Sequence, residues 1–272
     1  MKVVLVTGAS SGIGKATALE LLRAGHIVYG AARRLGHMAP ISEAGGRILP
    51  LDLREPDDPA RVIDTVVAEQ GRIDVLVNNA GAVLHGAAED VPLDRARDLF
   101  EVNLYGPARL VQLALPYMRE RGSGTIVNVS SVGGEIALPL GCWYYASKHA
   151  LEAYSDTLRL EVAPFGIDVV VVQPGIIKTE FEDHTAGDLR EISGGTAYGA
   201  MAEAMARRSE TQLGEGSPAS DPGEVAAVIR EAAEAARPQT RYAVGYLADR
   251  LLELNRTLPD REWDALASSA LG

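Results

Sequence analysis

The sequence predicts an α/β protein, a doubly wound, seven-stranded parallel sheet flanked by helices in a single domain over residues 1–272. Three observations carry that prediction. Short β-branched runs alternate with longer amphipathic segments along most of the chain. Several of the runs are apolar on both faces, as parallel strands covered by helices must be. A length of 272 residues with 47% hydrophobic content suits one large core that needs neither metal nor disulfide.

In order, the strand-like runs are residues 3–6, 27–30, 48–51, 75–77, 125–129 and 168–172. The helix-like stretches between them are 15–23, 59–69, 94–119 and 143–163. From about 180 to 220 the alternation stops, with Gly187, Gly194, Gly195, Gly199, Gly214 and Gly216 among many charges. Following directly on the last strand of the first six, this stretch is expected to be a mobile, substrate-covering segment with one helix around 198–208. Beyond it, Asp221 and Pro222 open a helix through Ala236. Residues 241–244 form the seventh strand, and 249–255 and 261–267 form short terminal helices.

The net charge of -11 and the pI near 5.0 argue against nucleic acid or an anionic membrane as the main partner. The single cysteine, Cys142, rules out an intrachain disulfide and fits a reducing cytosol. The N-terminal apolar run is too short for a signal peptide, and no apolar stretch is long enough to span a bilayer. A soluble cytoplasmic protein with a small-molecule partner is expected.

Ligands of doubly wound sheets bind beyond the carboxyl ends of the strands, where the motifs of this chain fall. Gly8, Gly12 and Gly14 follow a hydrophobic strand and open a helix. A turn without side chains lets backbone N–H groups approach a pyrophosphate, and the helix N-terminus adds partial positive charge. The spacing is G-x-x-x-G-x-G rather than the commoner G-x-G-x-x-G. An acid at the end of the second strand would bind the ribose hydroxyls of NAD and repel a 2′-phosphate. Here that position is Ala32, and Arg33 and Arg34 follow it. Guanidinium groups suit phosphate, so NADP(H) is expected over NAD(H), the alternative being two ordinary solvated charges. Ser10 would add a hydrogen bond to the same phosphate. Asp52 would accept from the adenine amino group or cap the following turn. Asn79, Ala80 and Gly81 would form a cofactor wall, with Asn78 structural.

Tyr144 and Lys148 are four apart in a helical stretch and therefore share a face. A phenol is a weak acid–base group at neutral pH, and a neighbouring ammonium favours its phenolate. Ser131 ends a strand thirteen positions earlier, where it would grip a carbonyl oxygen from the side opposite Tyr144. Ser130 and Tyr145 are the rival hydroxyls. Strand alternation turns Ser130 to the other face, and Tyr145 lies only three residues before Lys148.

With these residues in place, the chain resembles the short-chain dehydrogenase/reductase family in its compact single-domain branch, with a Rossmann-type fold. The resemblance rests on residues 7–14, Asp52, Asn78 to Gly81, Asn103, Ser131, Tyr144 to Lys148, Pro174, Gly175 and Thr179. It implies that Tyr144 gives the proton to a carbonyl in reduction and takes it back in oxidation. Ser131 orients the substrate oxygen, Lys148 lowers the phenol pKa and binds ribose, and Asn103 holds a water that relays protons to Lys148. Ser11, Ile13 and Leu53 join the cofactor contacts. Pro174, Gly175, Ile177 and Thr179 resemble the nicotinamide-side loop, with hydride transfer expected from the 4-pro-S position. Residues 31–35, 148–156 and the tail beyond 241 are similar to a subgroup of 17β-hydroxysteroid dehydrogenases, retinol-type reductases and acyl-dihydroxyacetone-phosphate reductases. The implied function is NADP(H)-dependent interconversion of a lipophilic ketone or aldehyde, of steroid, retinoid, acyl or polyketide type, and its alcohol. No metal site is expected. Gly141, Cys142 and Trp143 are expected to line the pocket, Cys142 passively. The helices over 94–119 and 143–163 would pair in a homodimer or homotetramer. A catalytically silent NADP(H)-binding sensor or scaffold is the alternative, and epimerisation or dehydration on the same fold is a third reading.

Overall fold

Seven parallel strands form one sheet: β1 (Val3–Thr7), β2 (Ile27–Ala32), β3 (Arg47–Pro50), β4 (Val75–Asn78), β5 (Gly124–Val129), β6 (Ile167–Pro174) and β7 (Arg241–Val244), in the order β3-β2-β1-β4-β5-β6-β7. The computed structural model describes residues 1–214 and 216–269. The expectations for the whole chain and for 180–220 therefore fall outside the described residues at 215 and 270–272.

Strand alternation divides the sheet's apolar side chains between two cores. Val3, Leu5, Tyr29, Leu76, Ile126 and Val169 face one layer, packed by α3 (Asp58–Gln70), α5 (Gly106–Arg121) and α6 (Cys142–Val162). Val4, Val6, Val28, Val75, Val77, Val127 and Val170 face the other, covered by α1 (Gly12–Arg23), α2 (Ala39–Glu43) and α9 (Pro222–Glu234). The chain order reverses between β1 and β4, and the crevice at their carboxyl ends is the place such a sheet leaves for a ligand. Asn78 at the end of β4 donates to Asn128 on β5 (2.9 Å), and Asn128 donates to Ser155 on α6 (2.8 Å). This buried chain fixes α6 against the strand ends and gives Asn78 the structural part expected of it.

Two predicted elements differ from the structure. The helix over 94–119 is α4 (Leu93–Phe100), a π-helical turn over Glu101–Tyr105, and then α5. Pro107 supplies the reason, since it has no N–H for the carbonyl four or five residues back. The ladder is interrupted where Asn103 sits, and such π-turns often mark functional sites. The segment after β6 holds two helices, α7 (Glu180–Ser193) and α8 (Gly199–Leu213), rather than one. Ala186 and Leu189 on α7 meet Ala202 and Ala206 on α8, with Leu140 and Ala87 beneath. Small residues at helical spacing let the pair approach, a signal that the surrounding charges and glycines hid. The tail is close to expectation: Asp221 caps α9 in a reciprocal box with Glu224, and α10 (Ala248–Thr257) and α11 (Asp260–Ser269) follow β7. No described helix is long and apolar enough to cross a membrane.

Gly14 packs closely against the segments that follow β1 and β4. A Cβ there would lie 2.4 Å from Asn79 Nδ2 and 2.5 Å from the Gly8 carbonyl oxygen. Backbone cannot yield as a flexible side chain does, so Gly14→Ala is expected to cost at least about 2 kcal/mol and lower the melting temperature by roughly 5 °C. An unchanged melting curve by circular dichroism would contradict this packing.

Candidate active site

Thr7, the last residue of β1, organises the crevice. Its hydroxyl donates to the Val77 carbonyl (3.3 Å) and accepts from the backbone N–H groups of Asn79 and Ala80 (3.0 Å each). Asn79 Nδ2 returns a bond to the Thr7 carbonyl (2.9 Å). The turn that follows is thus sewn to the end of β4. Gly8 (φ 66°) and Gly12 (φ 50°) take left-handed backbone that favours glycine. A Cβ on Gly12 would also sit 3.0 Å from Thr179 Cγ2, so the loop after β6 closes directly on this turn.

The resulting cleft, of about 500 Å³, gathers most of the residues expected from the sequence. Gly8, Ser10, Ser11, Gly12 and Ile13 form its floor at the N-terminus of α1, with Arg33 and Arg34 from the end of β2 at one rim. Asp52 and Leu53 follow β3, and Asn79, Ala80 and Gly81 follow β4. Ser131, Tyr144 and Lys148 line the opposite wall, with Pro174, Gly175, Ile177 and Thr179 between. Gly14 does not reach the cleft, since its contribution is the close packing described above. Asn103 also stays behind the wall, 1% exposed. Its amide exchanges two hydrogen bonds with the Ala82 backbone (2.8 and 3.0 Å) and donates to Ser147 Oγ (3.0 Å). Gly141, Cys142 and Trp143 lie off the cleft too, contrary to expectation. Gly141 is filled by the Tyr145 ring, Cys142 is exposed, and Trp143 meets Phe100 edge-on.

Between the rival hydroxyls the geometry is clear for the tyrosines. Tyr144 lines the cleft, whereas the Tyr145 ring packs against Gly133 and Gly141. Ser130 and Ser131 both border the cleft. Ser131 Oγ accepts from Gly133 N–H (3.0 Å), and Ser130 Oγ is buried without a partner. Lys148 is 4% exposed and donates to the Val129 carbonyl (3.1 Å). Burial pushes its ammonium down to about 8, against the pull of Glu152.

Several contacts in and beside the cleft were not foreseen. Arg34 donates to Ser11 Oγ (3.0 Å), Ser10 Oγ (3.5 Å) and the carboxylate of Glu180 (2.9 Å), the first residue of α7. The Arg34 hydrogen bond holds the Glu180 carboxyl below its ordinary range. Arg95 on α4 pairs with Asp188 (2.9 Å) on α7, and both line the cleft with His184. Burial raises the Asp188 carboxyl while Arg95 draws it back. His85 lies with its ring 5.7 Å from that of Tyr144, and burial pushes it down to about 4, so it is neutral at physiological pH. No local motif announces these contacts, because each partner arrives from a distant element.

The donor set suits a phosphorylated dinucleotide. Backbone N–H groups at the start of α1 face the cleft, no acid stands at the end of β2, and two arginines and two serine hydroxyls gather beside it.

Comparison with known proteins agrees with this geometry. The family model described as short chain dehydrogenase matches residues 2–189. A 3-ketodihydrosphingosine reductase of Bacteroides thetaiotaomicron is 40% identical over 194 residues, covering 71% of this chain and 70% of that protein. A short-chain dehydrogenase from Streptomyces avermitilis of known structure is 37% identical, with a TM-score of 0.80 and 98% of both chains covered. A metagenomic short-chain oxidoreductase, solved in complex with NADP, is 27% identical with a TM-score of 0.69, covering 89% of this chain and 96% of that one. The chain, with its parallel sheet, glycine turn and Ser131–Tyr144–Lys148 wall, belongs to the short-chain dehydrogenase/reductase family of nicotinamide-dependent oxidoreductases.

Proposed function

We propose that the protein is an NADP(H)-dependent reductase of a lipophilic ketone or aldehyde, reversible as an alcohol dehydrogenase, with Tyr144 as its acid–base group. The observation that carries the proposal is the convergence of Ser131, Tyr144 and Lys148 on the same cleft as the glycine turn and the Arg33–Arg34 pair.

The nicotinamide cofactor, when bound, supplies or receives the hydride. Everything else falls to the chain's own residues. The start of α1 and Arg34, with Ser10 and Ser11, would hold the phosphates, and Arg34 would exchange Glu180 for the 2′-phosphate. Asp52, Leu53 and residues 79–81 would border the adenosine half, and the loop from Pro174 to Thr179 the nicotinamide half. Ser131 Oγ would donate to the substrate oxygen, polarising the carbonyl and setting its distance from Tyr144 Oη. Tyr144 would release its phenolic proton to the developing alkoxide, and the buried Lys148 charge stabilises the phenolate left behind. The neutral ring of His85 packs beside Tyr144 without adding a second positive charge.

A lipophilic substrate is supported by the apolar wall of Ala82, Val83 and Val102 within the cleft. The relative named for reduction of 3-ketodihydrosphingosine supports it too, and makes long-chain ketones the first to try. The helical pair α7 and α8, held to the body through Arg34–Glu180 and Arg95–Asp188, would be the covering segment. Exposed Tyr105 and Leu160, on the surfaces of the α5 and α6 region, support pairing of those helices in a homo-oligomer.

NADPH consumption, followed by its near-ultraviolet absorbance against a panel of ketones and aldehydes, tests the chemistry. Tyr144→Phe should lower kcat by at least about 100-fold while leaving NADPH binding intact. A variant that keeps its turnover would remove Tyr144 from the mechanism.

Losing a charge-assisted contact to phosphate is worth about 1.5–3 kcal/mol. Arg34→Ala should therefore raise the KM for NADPH roughly 10- to 100-fold and leave that for NADH within about twofold. Equal losses for both cofactors would show that Arg34 does not read the 2′-phosphate.

A further inference from the structure

Lys148 and Glu152 are one turn apart on α6, both buried, at 4% and 6% exposure. Glu152 plays no part in the chemistry outlined above, yet its carboxylate is held from three directions. Oε1 accepts from Gln173 on β6 (3.0 Å), and Oε2 accepts from Arg241 Nε on β7 (3.1 Å). A Cβ on Gly134 would sit 2.7 Å from Glu152 Cγ, so the turn after β5 presses directly on the side chain. The same Gln173 nitrogen also donates to Glu135 (2.7 Å), whose carboxylate takes a fork of bonds from Arg256 on α10 (2.9 and 3.1 Å). Arg241 is shared with Asp156 (2.7 Å), which is also bound by Arg159 (2.6 Å). Charges of alternating sign thus run from Arg159 through Asp156 and Arg241 to Glu152, while Arg256 and Glu135 reach the same carboxylate through the neutral Gln173 amide.

We propose that Glu152 is a positioning residue that keeps the Lys148 ammonium charged, and that β7 and α10 hold it in place through Arg241 and through Arg256, Glu135 and Gln173. The inference rests on Lys148 belonging to the active site. A buried ammonium without a counter-charge releases its proton, and a released proton removes the charge that stabilises the Tyr144 phenolate. Lys148 donates to the Val129 carbonyl from β5 and shares its helix with Tyr144 one turn before it, while Asn103 bonds Ser147 behind the cleft wall. Glu152 is the charge that opposes the desolvation of Lys148. Around Glu152 stand Arg241, Gln173, Glu135 and the Ser130 hydroxyl. Arg241 divides its charge between Glu152 and Asp156.

The chain has four lysines, Lys2, Lys15, Lys148 and Lys178, so their side chains can be titrated individually by carbon-13 NMR. Lys148→Arg identifies the resonance of interest. In the cofactor-free wild type Lys148 should titrate near pH 8. Glu152→Gln should move that midpoint down by about one pH unit, and the alkaline limb of NADPH-dependent reduction should move the same way. Arg241→Gln, which leaves Glu152 less compensated, should move the Lys148 midpoint up. A purely structural network would lower stability in both variants without shifting the titration in opposite directions. A Lys148 midpoint unmoved in whichever variant folds overturns the proposal, even where carbonyl turnover is robust. A responsive midpoint in a protein that reduces no carbonyl supports the role of Glu152 and tells against the reductase reading instead.

Discussion

The close approach of two backbone segments, the turn after β1 and the end of β4, is the constraint on which the cleft depends. It is made by the Thr7 hydroxyl, which takes both the Asn79 and Ala80 N–H groups, and by glycines at 8 and 14 where any Cβ would collide with that same segment. The approach leaves the first N–H groups of α1 facing open space at the switch point of the sheet. It also brings Gly12 against Thr179, so the phosphate turn and the loop after β6 form two sides of one groove. A bulkier residue at any of these glycines would widen the crevice and separate walls that must act on one ligand.

A second constraint acts through the strand ends themselves. The Asn78–Asn128–Ser155 chain ties β4, β5 and α6 together below the cleft, which fixes the helix that carries Tyr144 and Lys148 relative to Ser131. Burying a lysine at that position is costly unless its charge is answered, and the answer comes from Glu152 with the network behind it. The terminal elements β7 and α10, remote in sequence from the glycine turn, are thereby tied to the electrostatics of the site.

The strand–helix alternation made the sheet legible, because parallel strands buried on both faces show as unbroken β-branched runs. The glycine turn, the arginines after β2, and Tyr144 with Lys148 were legible for a related reason: each motif is local, and its position relative to a strand end can be counted. Pro107 marked the break in the long helix, but the surrounding apolar periodicity of α4 and α5 concealed it. The first helix of the pair after β6 was hidden by the charges and glycines around its small contact residues, Ala186 among them. Asn103 was legible as a functional position only through family resemblance, and the structure shows its amide bound to Ala82 and Ser147. Contacts such as Arg34 with Glu180 and Arg95 with Asp188 left no mark in the sequence. They form between residues 146 and 93 positions apart, and an exposed charge reads the same with a partner as without one.

Hydride transfer itself is the central claim, and isotope labelling reads it directly. The protein would be incubated with a long-chain ketone and NADPH carrying deuterium at C4 of the nicotinamide, and the product alcohol examined by mass spectrometry and proton NMR. Deuterium at the carbinol carbon, in one configuration and from one face of the cofactor, is the expected result. NADPH consumed without label in the alcohol, or a product altered in configuration or water content while NADPH is spared, would contradict the reductase reading.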